Sequence, residues 1–479
     1  MKNIKRLLEK KFSPKLFLRG MLTISLLVFT NISVFGQITV LEEARYNTTG
    51  VHRTLIILAN FQDDPSEVLT IPEAEDIVLN TVNAYYQENS YGKMSLIGQA
   101  IGWYTLPISK SEVSCTEINQ LFTEPLKAVD PDVYFPDYDS IIIFMDLPSG
   151  CFGGAAGFGS SGYSSDDGPI TATTAIVNIN RSDRRIAGTT AHEIGHTLGL
   201  NHANFLECGN KSIKSSGCVE GVYQDEFDVM GRSKNMQHFN AAHKYQVGWF
   251  EPENIVVINS SAQSGRYTID PIEMPSTGVQ ALKIFQSADV DGFNSWYYVE
   301  YRQPIGFDEY LFSTYPTAFV DVINGALVHI GSHKSINNVI VQTQTTKLLD
   351  MSPHDNTGET QSEYYLDLYS PTLLAGQTFD DGFNRVTLVS NDVAYLTVDV
   401  AVASCGDNIC QANEGYSLCE MDCPSPTCGD GFCSAMYGED GVTCQPDCSV
   451  TCGDNICQAD EGYNLCEMDC PSSNCGDGF

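Results

Sequence analysis

The sequence predicts an α/β (α+β) domain, followed by an all-β sandwich-like module and a tail of small disulfide-rich repeats. Strand-like and helical runs alternate between about residues 50 and 180, which is typical of a sheet flanked by helices. Short apolar runs between turn residues recur from 252 to 402, and few have a helical period. Of the 17 cysteines, 13 follow residue 404, which indicates segments too small for a core and therefore held by cross-links.

Within the first region, apolar runs predict strands and helices in turn. Buried strands are predicted at 52–59 and 140–145, and further strands at 93–106 and 171–179. Apolar residues at helical spacing predict helices at 73–88 and 117–129. A Gly/Ser-rich stretch, 150–168, predicts a surface loop. In the second region, strand-like runs lie at 254–258, 297–301, 326–330 and 395–402.

The first 36 residues have the three parts of a secretory signal peptide. A basic stretch is followed by an apolar run at 21–35 and by small residues at a cleavage point near Gly36. The alternative is a signal anchor that stays in the membrane, but the apolar run is short for a spanning helix. No later segment is long enough to span, so the sequence predicts a secreted, extracellular protein with no transmembrane segment after signal removal.

The charge balance restricts the partners that the protein can have. Lys and Arg number 26 against 60 Asp and Glu, which gives a net charge of -34. Such a surface repels the phosphates of nucleic acids and anionic membranes. It suits a protein that meets cationic partners or divalent cations, and we expect no nucleic-acid partner.

The tail is an internal repeat with a period of 23 or 24 residues and four cysteines in each unit. The units begin at Cys405, Cys428 and Cys452, and a fourth begins at Cys475 and stops at Phe479. We therefore expect that the sequence is truncated at its C-terminus. This density of cysteine is typical of disulfides formed in an oxidising compartment.

Acidic residues recur inside the repeats and leave two interpretations open. They are Asp407, Glu414 and Asp422, with the copies Asp454, Glu461 and Asp469. Oxygen ligands at this density suit Ca²⁺. The same residues also fit an acidic, solvated surface on a disulfide frame.

Four cysteines precede the tail, and we expect two disulfides among them. Cys208 and Cys218 flank a short polar loop, which favours a bond between them. Cys115 and Cys151 are then paired by elimination.

The run 192–202, His-Glu-Ile-Gly-His-Thr-Leu-Gly-Leu-Asn-His, predicts a metal site. His192 and His196 are four residues apart, so on a helix they lie on one face and can hold one Zn²⁺. Gly199 allows the chain to leave the helix, and His202 then arrives as the third ligand. Three protein ligands leave a fourth position open, which is the arrangement of catalytic rather than structural zinc sites.

Glu193 adjoins the first ligand without occupying the metal. We expect it to act as general base on a zinc-activated water and later to deliver the proton to the leaving amine. The other interpretation is a surface helix with satisfied histidines, which gives no packing reason for three histidines at these offsets.

The run is the signature of the metzincin metallopeptidases, which the chain also resembles further along. That clan has a Met-containing turn beneath the zinc, and Met230, in the run 227–231, stands 28 residues after His202. The resemblance implies a metzincin-like catalytic domain with a twisted mixed sheet and an active-site helix. It also implies that Met230 forms the floor under the three imidazoles, although an ordinary core methionine would give the same pattern.

Within the clan, the chain is similar to the gametolysin-like peptidases over roughly residues 50–400. The segments that carry the similarity are 90–93, 102–104, 227–231, 240–244, 248–249, 298–303 and 348–351. Astacins and serralysins have a tyrosine two residues after the methionine that can join the zinc. Arg232 stands there in this chain, so no tyrosine ligand is expected from that turn.

Two further expectations concern the surroundings of the site. His243 follows the Met-containing turn and is either a hydrogen-bond donor in the transition state or, as is more common for such a residue, a structural part of a helix. In the clan, an edge strand before the active-site helix pairs with the extended substrate through main-chain hydrogen bonds. The resemblance places that strand within 150–179.

The sequence thus predicts a signal peptide (1–36), a zinc metallopeptidase catalytic domain (37–251), a β-sandwich-like module (252–402) and Cys-rich repeats (403–479). The expected function is that of a secreted zinc-dependent endopeptidase acting on extracellular proteins. The alternative is an extracellular adhesive or binding protein, whose repeats carry the function and whose metal site is inactive. Glu193 discriminates between them, because a purely structural site needs no general base. We expect protein or peptide substrates, and a matrix or cell-surface partner for the repeats.

Overall fold

The computed structural model describes residues 47–116, 118–160, 164–214, 216–336, 339–353 and 370–403. The predicted signal peptide and the Cys-rich repeats from residue 404 onwards, with their proposed calcium ligands, lie outside these ranges. The described residues belong to one compact unit. Within them, no helix has both the length and the apolar character needed to cross a membrane.

The helices of the described residues are mostly short. They are α1 (Ile71–Glu75), α2 (Asn83–Asn89), α3 (Asn119–Val129), α4 (Asp183–Thr197), α5 (Ala241–Gln246) and α6 (Glu309–Thr314). A π-helical segment, Asp76–Val82, joins α1 to α2, so the helix predicted at 73–88 is confirmed. Short 3₁₀ turns lie at Lys110–Glu112, Asp130–Asp132, Phe135–Asp137, Ser233–Asn235, Pro252–Asn254, Ser261–Gln263, Gly306–Asp308 and Val322–Asn324.

The strands before residue 222 are β1 (Gly50–Phe61), β2 (Met94–Leu106), β3 (Ser140–Met145), β4 (Gly154–Ser160), β5 (Ser164–Ser165), β6 (Gly168–Pro169), β7 (Thr173–Asn178), β8 (Ala203–Glu207) and β9 (Val219–Gly221). The later strands are β10 (Ile255–Ile258), β11 (Gly265–Ile269), β12 (Ala281–Ala288), β13 (Asn294–Tyr301), β14 (Ala326–Ile336), β15 (Val339–Thr343), β16 (Thr346–Leu349), β17 (Thr378–Asp380), β18 (Asn384–Asn391) and β19 (Leu396–Val402).

The first sheet is mixed and has the strand order β2-β1-β3-β7-β4. Strands β1, β2, β3 and β7 are parallel, and β4 runs antiparallel to β7 at one edge. Alternate residues of β1 enter different cores: Ile56 packs in the cluster that contains α4 residues, and Ile57 in the cluster that contains α3 residues. Because helices cover both faces of the sheet, the parallel strands are buried on both sides, and their sequences are continuous apolar runs.

Strand β4 corrects one prediction from the sequence. Residues 150–168 are predicted as a surface loop, yet Gly154–Ser160 forms the edge strand of the first sheet. Glycine and serine are typical of turns, but a strand at an edge is held by backbone hydrogen bonds to β7 and does not require large side chains. The chain therefore places a strand immediately before the helix with the histidines.

Helix α4 begins after Ser182 and carries Asp183 in its first turn, where a carboxylate is favourable at the positive end of the helix dipole. Most of its residues from Ile186 onwards are buried. It ends at Thr197, and Gly199 follows two residues later with a φ of +89°, in the left-handed region that glycine tolerates. The backbone N–H of Leu200 donates to the carbonyl of Gly195 at 3.1 Å and closes this turn. The chain then leaves the helix towards β8.

The second sheet crosses the boundary predicted between 251 and 252. Its order is β10-β12-β13-β14-β16-β8-β9, with β15 paired to β14. Strand β8, which starts one residue after His202, runs parallel to β16 with Ala203 opposite Thr346. The segment that completes the histidine run is therefore built into the same sheet as the later β-rich region.

A third sheet, in the order β11-β19-β18-β17, lies in the β-rich region. Leu282 and Val299 of the second sheet and Val386 and Val398 of the third belong to one buried apolar cluster. A sandwich-like module requires this kind of contact between two sheets.

Candidate active site

The three histidines predicted as ligands come together in the structure. Ring nitrogens of His192, His196 and His202 all lie within 4.8 Å of one another. Two of the rings come from one face of α4, and the third follows the turn at Gly199. The carbonyl of His202 accepts a hydrogen bond from the N–H of Thr346 at 3.0 Å, so the β-rich region helps to position the third ring.

Backbone carbonyls fix the orientation of the two helical imidazoles. Nδ1 of His192 lies 2.9 Å from the carbonyl of Val229, and Nδ1 of His196 lies 2.8 Å from that of Leu200. A carbonyl only accepts, so each Nδ1 carries the proton and each Nε2 presents a lone pair. Nε2 of His196 is 3.1 Å from Nε2 of His202, close to the spacing of about 3.3 Å between two nitrogens bound to one tetrahedral zinc ion.

The imidazoles are also held in the neutral form that a metal requires. Burial and the neighbouring His196 lower the pKa of His192 to about 3 and that of His202 to about 4. Burial likewise lowers the pKa of His196. Three neutral, converging nitrogen donors fit Zn²⁺ in chemistry and number.

Glu193 is buried beside the ligands, with only 4% of its surface exposed. Its carboxylate packs against the backbone of Gly154 in β4, where any Cβ would collide with it. Burial raises the pKa of Glu193 to about 8. Burial thus disfavours the ionised carboxylate, which is the form that can act as a base. A metal ion between the imidazoles would place a positive charge nearby and stabilise that form.

Met230 lies against α4 from the side of the Met-containing turn. It is fully buried, and its sulfur occupies the space that a Cβ at Gly195 would need. The preceding residue, Val229, supplies the carbonyl that orients His192. The turn therefore contacts the helix between two of the predicted ligands.

A buried carboxylate holds this turn in place. Asp228 accepts hydrogen bonds from the N–H of Met230 at 2.7 Å, from the N–H of Asn240 at 2.7 Å and from Nδ1 of His243 at 2.8 Å. His243 is fully buried on α5, and its Nε2 lies 3.5 Å from Oγ1 of Thr346. These contacts favour the structural interpretation of His243 over a role in the transition state.

Tyr223 is a site residue that the sequence did not indicate. Its ring centroid lies 4.1 Å from that of His202 and 6.0 Å from that of His192. Its φ is +59°, and its N–H donates to Oδ1 of Asn204 at 3.0 Å. A tyrosine in an irregular loop has no motif spacing, so only the tertiary structure could reveal it. Arg232, at the position where astacins and serralysins have a tyrosine, instead forms an ion pair with Glu226 at 2.7 Å.

Two disulfides lie next to chain segments that border the site. Cys208 is joined to Cys218, which closes the connection between β8 and β9 shortly before Tyr223. Cys115 is joined to Cys151, which fixes the start of the segment that becomes β4. Both pairs match the pairing expected from the sequence.

Comparison with known proteins agrees with this geometry. Residues 73–203 match the model of the reprolysin-like metallopeptidases, family M12B, a range that includes all three histidines. The match and the histidine triad support a metzincin-type zinc metalloprotease, an enzyme that acts on protein substrates.

One solved structure, described as "Structure of a chaperone-substrate complex", is also similar to part of the chain. The sequence identity is 14% and the TM-score 0.22, over 41% of this chain and 30% of that one. This chain thus spans less than a third of that protein's length.

Proposed function

We propose that the chain is a secreted, zinc-dependent endopeptidase of the gametolysin-like type that hydrolyses peptide bonds in extracellular proteins. One observation carries the proposal: a buried carboxylate, Glu193, stands beside three converging imidazoles. A structural zinc site has four closed ligands and needs no base beside them. The two disulfides are compatible with an extracellular protein.

His192, His196 and His202 would hold one Zn²⁺. When bound, that ion supplies Lewis-acid chemistry, which polarises the scissile carbonyl and acidifies a water molecule. Glu193 accepts the proton of the attacking water on its carboxylate and delivers it to the nitrogen of the leaving amine. The protein's contribution is to keep this carboxylate dry and adjacent to the ligands.

The substrate backbone would bind along β4. In the described part of the chain, β4 pairs with β7 alone, so its other edge can take an extended peptide by main-chain hydrogen bonds. The absence of a side chain at Gly154 lets this strand approach Glu193. A peptide on this edge would therefore lie close to the base.

The test is Glu193→Gln in the purified full chain, which removes the base with little change in volume. We expect hydrolysis of casein or of a broad peptide library to fall by about 10²–10⁴-fold. Zinc content, measured by mass spectrometry, should stay at one ion per chain. A chelator should abolish the activity of the wild type, and added zinc should restore it. Activity that survives both the substitution and the chelator would exclude this mechanism.

A further inference from the structure

A basic pocket adjoins the metal site. It has a volume of about 320 Å³ and is lined by Arg181, Arg185, Thr189, Tyr223, Gly231, Arg232, Ser233 and Lys234. Four of these residues are cations, in a chain that has 26 Lys and Arg and a net charge of -34. The volume is at the lower end of the range of about 300–1,000 Å³ that is usual for ligand sites. It is therefore suited to a small group, such as one side chain.

The pocket shares a wall with the site. Tyr223 lines the pocket and also packs on the ring of His202. Thr189 lies three residues before His192 and four before Glu193, so it occupies the same side of α4 one turn earlier. Gly231 directly follows Met230. A group in this pocket therefore lies beside the imidazoles rather than on a distant surface.

The charge of the pocket is largely uncompensated. Among the described residues, no ion pair involves Arg181, Arg185 or Lys234, and all three are exposed. Arg232 is held by Glu226 through its Nε atom, so one carboxylate faces four cations. Asp183, in the first turn of α4, does not line the pocket.

We infer that this basic pocket binds an acidic side chain of the protein substrate, next to the bond that is cleaved. The inference rests on the proposed peptidase function and specifies its substrate class. Guanidinium groups bind carboxylates through two parallel hydrogen bonds, and such charge-assisted bonds are stronger than neutral ones. Because Tyr223 both lines the pocket and packs on His202, an aspartate or glutamate near the scissile bond can enter the pocket while the backbone lies at the site.

The test uses matched peptides that differ only by Glu, Gln or Lys at each position on either side of the cleaved bond. At one position, we expect kcat/KM of the wild type to be at least about tenfold higher for Glu than for Gln, the effect of a hydrogen bond between charged groups. The ratio should fall as salt increases, because salt screens exposed charges. The Lys peptide should be the poorest of the three.

Charge reversal in the pocket should reverse the order of preference among the Glu, Gln and Lys peptides. In the double variant Arg185→Glu/Lys234→Glu, the ratio of kcat/KM for the Glu peptide to that for the Gln peptide should fall below one. The Lys peptide should become the preferred substrate. Arg185→Lys/Lys234→Arg, which keeps both cations, should retain the preference. Lys127→Glu/Arg266→Glu is the matched control, since it makes the same change in charge at exposed residues outside the pocket. It should leave the ratio as in the wild type.

The possible failures are distinguishable. A wild type that cleaves the Glu and Gln peptides equally at every position overturns this inference and leaves the peptidase function standing. A zinc-loaded wild type that cleaves none of the peptides overturns the proposed function and this inference with it. A control variant that loses the preference as fully as the pocket variant would show that net charge, and not the pocket, sets it, which also overturns the inference.

Discussion

Two groups of histidines differ in the partners of their ring nitrogens. His192 and His196 donate from Nδ1 to neutral backbone carbonyls, and their Nε2 atoms converge with that of His202. By contrast, each histidine of the second group contacts a carboxylate. These contacts are His238 to Glu88 at 2.7 Å, His243 to Asp228 at 2.8 Å and His329 to Asp225 at 3.0 Å.

The difference separates a metal ligand from a structural residue. A ring whose proton is held by a carbonyl offers its other nitrogen as a neutral donor. In the second group the other nitrogen also faces a protein group: Nδ1 of His238 lies 3.3 Å from Nζ of Lys244, and Nδ1 of His329 lies 3.8 Å from Oε2 of Glu300. These rings therefore join segments of the fold, and none of them belongs to the group of three imidazoles that could hold a metal ion.

The largest expected effect comes from removing a converging ring. In His196→Ala, zinc affinity and peptidase activity should both fall by more than about 100-fold. Loss of a hydrogen bond that only supports a ligand already lowers metal affinity or activity by about 10–100-fold. Zinc content and hydrolysis of a fluorogenic peptide measure both. His333→Gln is the control, because His333 is buried beside Lys283 and, among the residues that the structure describes, belongs to no group of three potential metal ligands. Retention of zinc by His196→Ala would contradict the assignment of the ligands.

A smaller effect, on stability, is expected at Asp228. Asp228→Ala removes the acceptor of two backbone N–H groups and of Nδ1 of His243, all buried. The free energy of unfolding should fall by about 3–5 kcal/mol, because the substitution leaves three buried donors without an acceptor. Asp399→Ala breaks an exposed pair with Arg266, which water and salt screen, and should leave the stability almost unchanged. Thermal unfolding measures the stability of both variants relative to the wild type. An equal loss of stability in the two variants would show that Asp228 does not hold the turn.

Local patterns in the sequence are sufficient to predict the three converging histidines and much of the fold. The spacing of His192 and His196 places both rings on one helix face, and strands such as β3 are continuous apolar runs with the predicted bounds. Local composition did not predict the edge strand β4, because the surrounding stretch 150–168 is rich in glycine and serine, which are typical of loops. Its formation depends on the neighbouring strand β7, which local composition does not describe.

Contacts between distant segments account for the rest. Strand β8 pairs with β16, more than 100 residues later, so no local pattern could predict that sheet. The basic pocket likewise joins Arg181 and Arg185, at the start of α4, to Arg232 and Lys234, beyond the Met-containing turn. Each of these cations alone resembles an ordinary surface residue. The common function that we propose for them depends on their meeting in one pocket, which only the tertiary structure shows.

The smallest expected effect is a pH dependence of stability at His329. Burial disfavours its imidazolium form, but the carboxylates of Glu300 and Asp225 outweigh burial and the opposing Arg302, so the pKa of His329 is raised. A histidine with a raised pKa in the folded state contributes stability below its ordinary pKa of about 6.5, and this contribution is lost as the pH rises through the folded-state pKa. The wild type should therefore exceed His329→Gln in melting temperature most clearly below about pH 6.5.

His333 provides a control of opposite sign for that measurement. Burial and the nearby Lys283 lower the pKa of His333 to about 3. Its neutral ring therefore costs stability when the unfolded chain binds a proton, below about pH 6.5. Relative to His333→Gln, the wild type should lose melting temperature as the solution is acidified, whereas relative to His329→Gln it should gain. Melting curves of zinc-saturated protein across this pH range test both slopes. If the two slopes have the same sign, the carboxylates around His329 do not set its protonation, and the distinction between the two groups of histidines fails at that residue.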